Sequence, residues 1–109
     1  MKYDNWSIGG NKIRDNDQYQ LFDNDTLNNL IVSKTRLRGG QSTNGHRHKG
    51  QEEVYMFIKG TGQIEVDHKI IDVGEGSVVL IPDNAFHKVH NTGAFWLEFI
   101  CVFDGRRTI

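Results

Sequence analysis

EVYMFIKGTGQIEVDHKIIDVG, residues 53–74, is the stretch whose reading decides the fold. Val54-Tyr55-Met56-Phe57-Ile58 is a continuous apolar and aromatic run that stops at Gly60-Thr61-Gly62. A short run of this composition bounded by glycine reads as a buried strand. Gln63 to Asp67 and Lys69 to Val73 then flank a hairpin turn expected near Asp67-His68.

Outward from this stretch the punctuation repeats. Toward the C-terminus, Gly74-Glu75-Gly76 precedes a run from Ser77 to Ile81 that ends at Pro82. Phe86 to Asn91 and Phe95 to Phe103 follow, separated by Thr92-Gly93. Toward the N-terminus, Leu30 to Arg38 alternates in part and stops at Gly39-Gly40. About seven strands at intervals of roughly ten residues, with hardly any helical periodicity, predict an all-β sandwich or barrel. Residues 1–26 are rich in Asn, Asp and Gln and read as an N-terminal arm. One short strand is expected there at Gln18 to Phe22, with a weak helical turn near Asp25 to Asn29. No Pro/Gly linker separates the arm from a barrel core at 30–103, so residues 1–109 read as a single domain.

Bulk composition narrows the function classes. The 109 residues suffice for one core, and 37% hydrophobic with 25% charged residues is ordinary for a globular chain. Thirteen basic against fourteen acidic side chains leave no surplus charge to draw the protein onto nucleic acid or an anionic membrane. The apolar runs fall far short of the about 20 residues a spanning helix needs. MKYDNWSIGG has no apolar stretch behind its lysine and does not read as a signal peptide. Cys101 is alone, so cytoplasmic residence is expected, and inside Phe99–Phe103 it reads as a small buried hydrophobe.

The chemistry lies in four residues. His46-Arg47-His48 places two imidazoles at i and i+2, on one side of an extended chain, with Arg47 turned away. Glu53 follows, and Gly50 gives the backbone a place to turn so that its carboxylate reaches the same spot. His87 comes from a separate strand after Pro82-Asp83-Asn84. Three neutral imidazoles and a carboxylate form a borderline ligand set suited to one divalent transition metal: Fe, Mn, Zn, Ni, Co or Cu. A six-coordinate ion held this way keeps two positions open for substrate or water.

Here the chain resembles the cupin superfamily. That family's first motif reads G-x5-H-x-H-x3/4-E-x6-G, which Gly40, His46, His48, Glu53 and Gly60 match with the four-residue spacer. Its second reads G-x5-P-x-G-x2-H-x3-N, matched by Gly76, Pro82, His87 and Asn91. The one departure is Asn84 in place of glycine, and asparagine is the next residue able to take a left-handed backbone. The motifs occupy residues 40–60 and 76–91, about half the chain. The resemblance implies a double-stranded β-helix, a jelly-roll barrel, with His46, His48, Glu53 and His87 as metal ligands in its lumen.

Other residues carry weaker expectations. His68 belongs in the hairpin turn and is expected to be exposed, whereas His90, of opposite parity to His87, should point away from the metal. Asn91 should tie down local backbone. Tyr55 and Phe57 share the face of Glu53 and are expected to narrow the pocket or to pack as core. Lys34, Arg36 and Arg38 share one face; turned inward, Arg36 and Arg38 would anchor a phosphate or carboxylate, and turned outward they form a solvated stripe. Trp96, Glu98 and Ile100 alternate with Phe95, Leu97 and Phe99, and an outward apolar set would call for a second chain, hence a homodimer with the arm crossing to its partner.

Fold alone leaves activity open. The expected function is that of an enzyme acting on a small oxygenated molecule. It would be either an isomerase for sugars or sugar phosphates, or an O2-dependent dioxygenase. The alternative is a module that binds a small ligand without turning it over; with no DNA-binding segment in these 109 residues, a regulator is not expected.

Overall fold

Alternating β-branched and aromatic residues, cut by glycine at several turns, form strands where one face has a core to bury into. The computed structural model describes residues 1–107. Nine strands form: β1 (Asn11–Asp15), β2 (Tyr19–Asn24), β3 (Leu30–Leu37), β4 (Glu53–Lys59), β5 (Thr61–Val66), β6 (Lys69–Gly74), β7 (Val78–Ile81), β8 (His87–Asn91) and β9 (Leu97–Asp104). They make two antiparallel sheets, one ordered β1-β2-β3-β9-β4-β7 and the other β6-β5-β8. This is the expected all-β jelly roll, and no helix among the described residues is long and apolar enough to cross a membrane.

Two N-terminal expectations are corrected. Residues 11–24 are not an arm lying on the barrel: β1 pairs with β2 and β2 with β3, extending the chain's own larger sheet. Inward Leu21 and Asp23 are buried, so this segment has a face to bury, which its polar composition conceals. The helical turn expected at 25–29 is a series of bends; the Asn24 side chain accepts from the Thr26 backbone N–H at 3.2 Å, a local bond that competes with helix.

The core sits at one end of the space between the sheets. Leu37, Leu97, Phe57, Ile64 and Val89 are each at most 1% exposed. Phe57 and Tyr55 pack on Phe99 with ring centroids 5.2 and 5.3 Å apart. Gly60 ends β4 at φ 89°, where a Cβ would lie 2.6 Å from the Trp96 carbonyl oxygen, so no other residue fits without moving backbone.

Candidate metal centre

His46 and His48 lie in the connection between β3 and β4, on backbone that is not the regular strand their spacing suggested. Gln41 accepts from the Asn91 backbone N–H, and Thr43 donates to the Val89 carbonyl, so the connection begins in step with β8. The next contact joins His46, not residue 45, to His87. One extra residue has entered beside Gly45, whose φ of 79° accommodates it. His46 and His87 then exchange a reciprocal pair of backbone hydrogen bonds at 3.1 and 3.0 Å.

A second set of bonds laces this connection to the β7–β8 turn. The Asp83 carboxylate accepts from the Gly50 N–H at 2.7 Å, and the Asn84 N–H donates to the His48 carbonyl at 3.2 Å. Asn84 has φ 62°, the left-handed conformation expected of it in place of glycine. Gly50, at φ 83°, reverses the chain so that Glu53 opens β4 facing inward.

The side chains converge. Imidazole centroids lie 4.5 Å apart for His46 and His48, 4.8 Å for His46 and His87, and 5.5 Å for His48 and His87. One ring nitrogen from each of the three lies within 4.8 Å of the others. Glu53 Oε2 is 3.1 Å from His87 Nε2, and Glu53 Oε1 is 3.9 Å from His48 Nε2. Donors about 2.1 Å from a shared ion stand roughly 3–4 Å from one another, the range in which the two carboxylate–imidazole separations fall.

The fit of an ion rests on one local fact. His87 Nδ1 lies 3.0 Å from the Ala85 carbonyl and donates to it, so in the neutral ring the Nε2 lone pair is aimed into the site. His87 Nε2 and Glu53 Oε2 are both buried with no hydrogen-bond partner of acceptable geometry among the described residues. Buried polar atoms are rarely left so, and a cation between them would satisfy both.

Electrostatics prepare two of the three imidazoles for a cation. Burial, then the neighbouring His87 and His48, lowers His46 to about 4, and burial also lowers His48. Both are therefore neutral at pH 7, the form that metal ligation requires. For Glu53, burial pushes upward, but His87 and the other imidazoles outweigh it and the carboxyl lies below its ordinary value. For His87, burial pushes downward, and is outweighed by Glu53 and the Ala85 carbonyl, so its value is raised.

A cavity of about 410 Å³ opens over these four residues. Tyr55 lines it, as does Ser33 and Thr35 of β3 and Cys101 and Phe103 of β9. Cys101 is buried as expected, yet its strand partner is Tyr55 and it faces the cavity. Burial drives both the Tyr55 hydroxyl and the Cys101 thiol well above their ordinary pKa values, so both stay protonated.

Three candidate pocket residues take the second of their two expected places, away from the cavity. Phe57 is packed at 1% exposure in the core and does not line the cavity. Arg36 and Arg38 face outward, because Ser33 and Thr35 take the inward positions of β3. Their guanidinium groups lie 4.2 and 4.6 Å from the Trp96 ring centroid, while Lys34 pairs with Glu98 at 3.1 Å. Instead, Arg14 and Arg107 reach the cavity, and neither stood out in the sequence. Arg107 is forked onto Asp23 at 2.6 and 3.0 Å. An Asp far upstream and an Arg near the C-terminus carry no spacing signal that would have paired them.

The structure places the other polar residues of the motif region as follows. His68 is exposed in the turn, and His90 points outward, bonded to Ser42 Oγ and Glu65, each at 2.6 Å. The Asn91 side chain donates to the carbonyls of Leu37 and Phe95 at 3.0 and 2.7 Å.

Comparison with known proteins follows this geometry. The chain is 29% identical over 72 residues to an oxalate-binding protein from Thermotoga maritima, covering 66% of this chain and 60% of that one. It spans 60% or less of the length of the curated relatives it matches. Among solved structures, KdgF from Halomonas sp. superposes with a TM-score of 0.78 at 15% identity, covering 89% of each chain. Oxalate decarboxylase from Bacillus subtilis, described with Mn(II) centres, gives 0.79 at 18% identity over 90% of this chain and 28% of that one. At such identities these superpositions establish the fold alone. The family model described as Cupin domain matches residues 34–103, which span both motifs, the whole of β4 to β8 and parts of β3 and β9, and the chain belongs to the cupin family.

Proposed function

We propose that the protein holds one divalent transition-metal ion through His46, His48, Glu53 and His87 and acts there on a small oxygen-rich molecule. The observation that carries this reading is the facing pair of buried atoms, Glu53 Oε2 and His87 Nε2, left without partners while His87 Nδ1 is committed to Ala85. When bound, such an ion supplies Lewis acidity or, if redox-active, electron transfer at its open positions. The chain's own contribution is enclosure and orientation. Tyr55, Ser33 and Thr35 present neutral hydroxyls to the cavity, and Phe99 and Phe103 limit water.

Glu53 is the sole carboxylate among the described lining residues, and it belongs to the ligand set. A sugar or sugar-phosphate isomerase needs a separate base to move its proton, so this lining favours O2-dependent chemistry over isomerisation. The Thermotoga maritima relative, an oxalate-binding protein, supports the second reading, binding without turnover. The deciding experiment is metal analysis of protein purified without added metal, followed by oxygen uptake with a panel of small acids and sugars. Iron with uptake supports the oxygenase. A bound metal with tight ligand binding and no turnover supports the binding module, and protein that takes up no metal sinks both.

We also propose a homodimer built on the outer face of the larger sheet. Val78 and Leu80 are 62% and 69% exposed, and their strand partners Met56 and Val54 stand beside them. Sedimentation showing only monomer at micromolar concentration would rule it out. The lone buried thiol, Cys101, supports a cytoplasmic setting.

A further inference from the structure

Three arginines border the cavity, and they differ in what they are free to do. Arg107 has its charge neutralised by the two-point contact with Asp23, and also donates to Ser33 Oγ at 2.9 Å. Arg47 donates to the Asn84 carbonyl and leans on Asp67 at 3.6 Å, mostly in solvent. Among the described residues the Arg14 side chain makes a single hydrogen bond, from Nη1 to the Tyr19 hydroxyl at 3.2 Å. Among the described residues it has no carboxylate partner. Its neighbours Asp15 and Asp23 are taken, the first by Lys12 and Arg38, the second by Arg107.

Arg14 faces the cavity only because β1 carries a bulge. Lys12 pairs with Phe22, but Arg14, not Ile13, pairs with Leu21, so Ile13 is an extra residue. Phe22 faces outward and Leu21 inward. In a regular ladder Ile13 would take the inward place opposite Leu21 and Arg14 would point to solvent. The bulge exchanges them, leaving the apolar Ile13 at 39% exposure and placing a cation over the cavity. Such an arrangement costs hydrophobic burial, and bulges recur where a side chain is re-aimed at a site.

We infer that Arg14, with the Tyr19 hydroxyl beside it, binds the carboxylate of a small, multiply oxygenated organic acid whose other oxygens face the metal ligands. A planar guanidinium matches a carboxylate by paired hydrogen bonds, and the cavity offers this cation no competing carboxylate except Glu53 among the metal ligands. A cavity of about 410 Å³ holds a molecule of monosaccharide size. This inference rests on the metal-dependent reading above and specifies its substrate class.

The test measures binding of matched acids and neutral analogues to metal-loaded protein by calorimetry: D-glucuronate against D-glucose, and glycolate against ethylene glycol. Metal content is assayed in every sample. The wild type is expected to prefer the acid of the larger pair by at least about tenfold, the scale of one charge-assisted contact. In Arg14→Gln, with metal content unchanged, the preference should fall to near unity while glucose binding stays the same. Deleting Ile13 should keep the preference, because it removes the extra residue and leaves Arg14 opposite Leu21; if that variant misfolds, Arg14→Gln decides alone. A preference that persists in Arg14→Gln assigns the carboxylate to the metal or to Arg107 and overturns the inference. So does a metal-loaded wild type that shows no preference in the larger pair. Failure of the wild type to take up metal is a different result, and sinks the proposed function instead.

Discussion

The two ends of the barrel follow one alternating pattern and use it for opposite purposes. At one end Leu37, Leu97, Phe57 and Val89 point inward and fill the space. Farther along the same strands, the inward positions carry Thr35 and Ser33 on β3, Tyr55 and Glu53 on β4, Cys101 on β9 and His87 on β8, and the space stays open. Register passes continuously from one end to the other, Leu37 opposite Leu97, Thr35 opposite Phe99 and Ser33 opposite Cys101. Strand geometry therefore does not distinguish the ends; side-chain volume and polarity do. The packed end supplies stability, and the open end keeps polar groups that a solid core would not tolerate.

This division is open to test from both sides. The largest effect is expected from His87→Ala, which should abolish tight metal binding, measured by metal analysis, while circular dichroism still reports a folded β protein. Unchanged metal content would break the assignment. Next, Phe57→Ala at the packed end should cost about 3–5 kcal/mol in denaturant unfolding without changing the metal-to-protein ratio. Metal loss from the still-folded variant would show that the ends are not independent. Asn91→Ala removes two donors from carbonyls in the packed region and should cost about 1–3 kcal/mol, again sparing metal.

The smallest effect is one of pH. In metal-free protein His46 sits near 4, below its ordinary value of 6.5, so the folded state holds it neutral and unfolding lets it take up a proton. Its contribution to stability is present above pH 6.5 and lost as pH falls toward 4. His87 is shifted the other way and contributes oppositely, its share lost as pH rises through its folded value. Denaturation of wild type and His46→Ala from pH 7 to 4 should show the steeper loss in the wild type. Parallel curves would mean that His46 titrates as in an open chain.

Much of the barrel was legible in the sequence because glycines and period-two runs are local signals. The hairpin at Asp67-His68, the break at Gly60 and the left-handed Asn84 each follow from a few adjacent residues. The four candidate ligands were equally visible, since their spacing is the motif. The cavity wall was not, because which face of a strand turns inward depends on bulges. The Lys34, Arg36 and Arg38 stripe had two possible faces, and inward Ser33 and Thr35 decided between them. Arg14 was hidden for the same reason: one extra residue in β1 reverses its direction, and nothing in NKIRD marks the place. β1 and β2 were read as an arm because their buried residues are few and separated by polar ones.

The backbone bridge between His46 and His87 has a consequence for how the protein could change over time. Two imidazoles from chain segments forty-one positions apart are held in step by main-chain atoms, which every amino acid possesses. Neighbouring side chains on the wall are thus free to be exchanged without disturbing the distance between these two rings. A lineage built on this frame could acquire new ligands by altering the wall while inheriting the same pair of nitrogens.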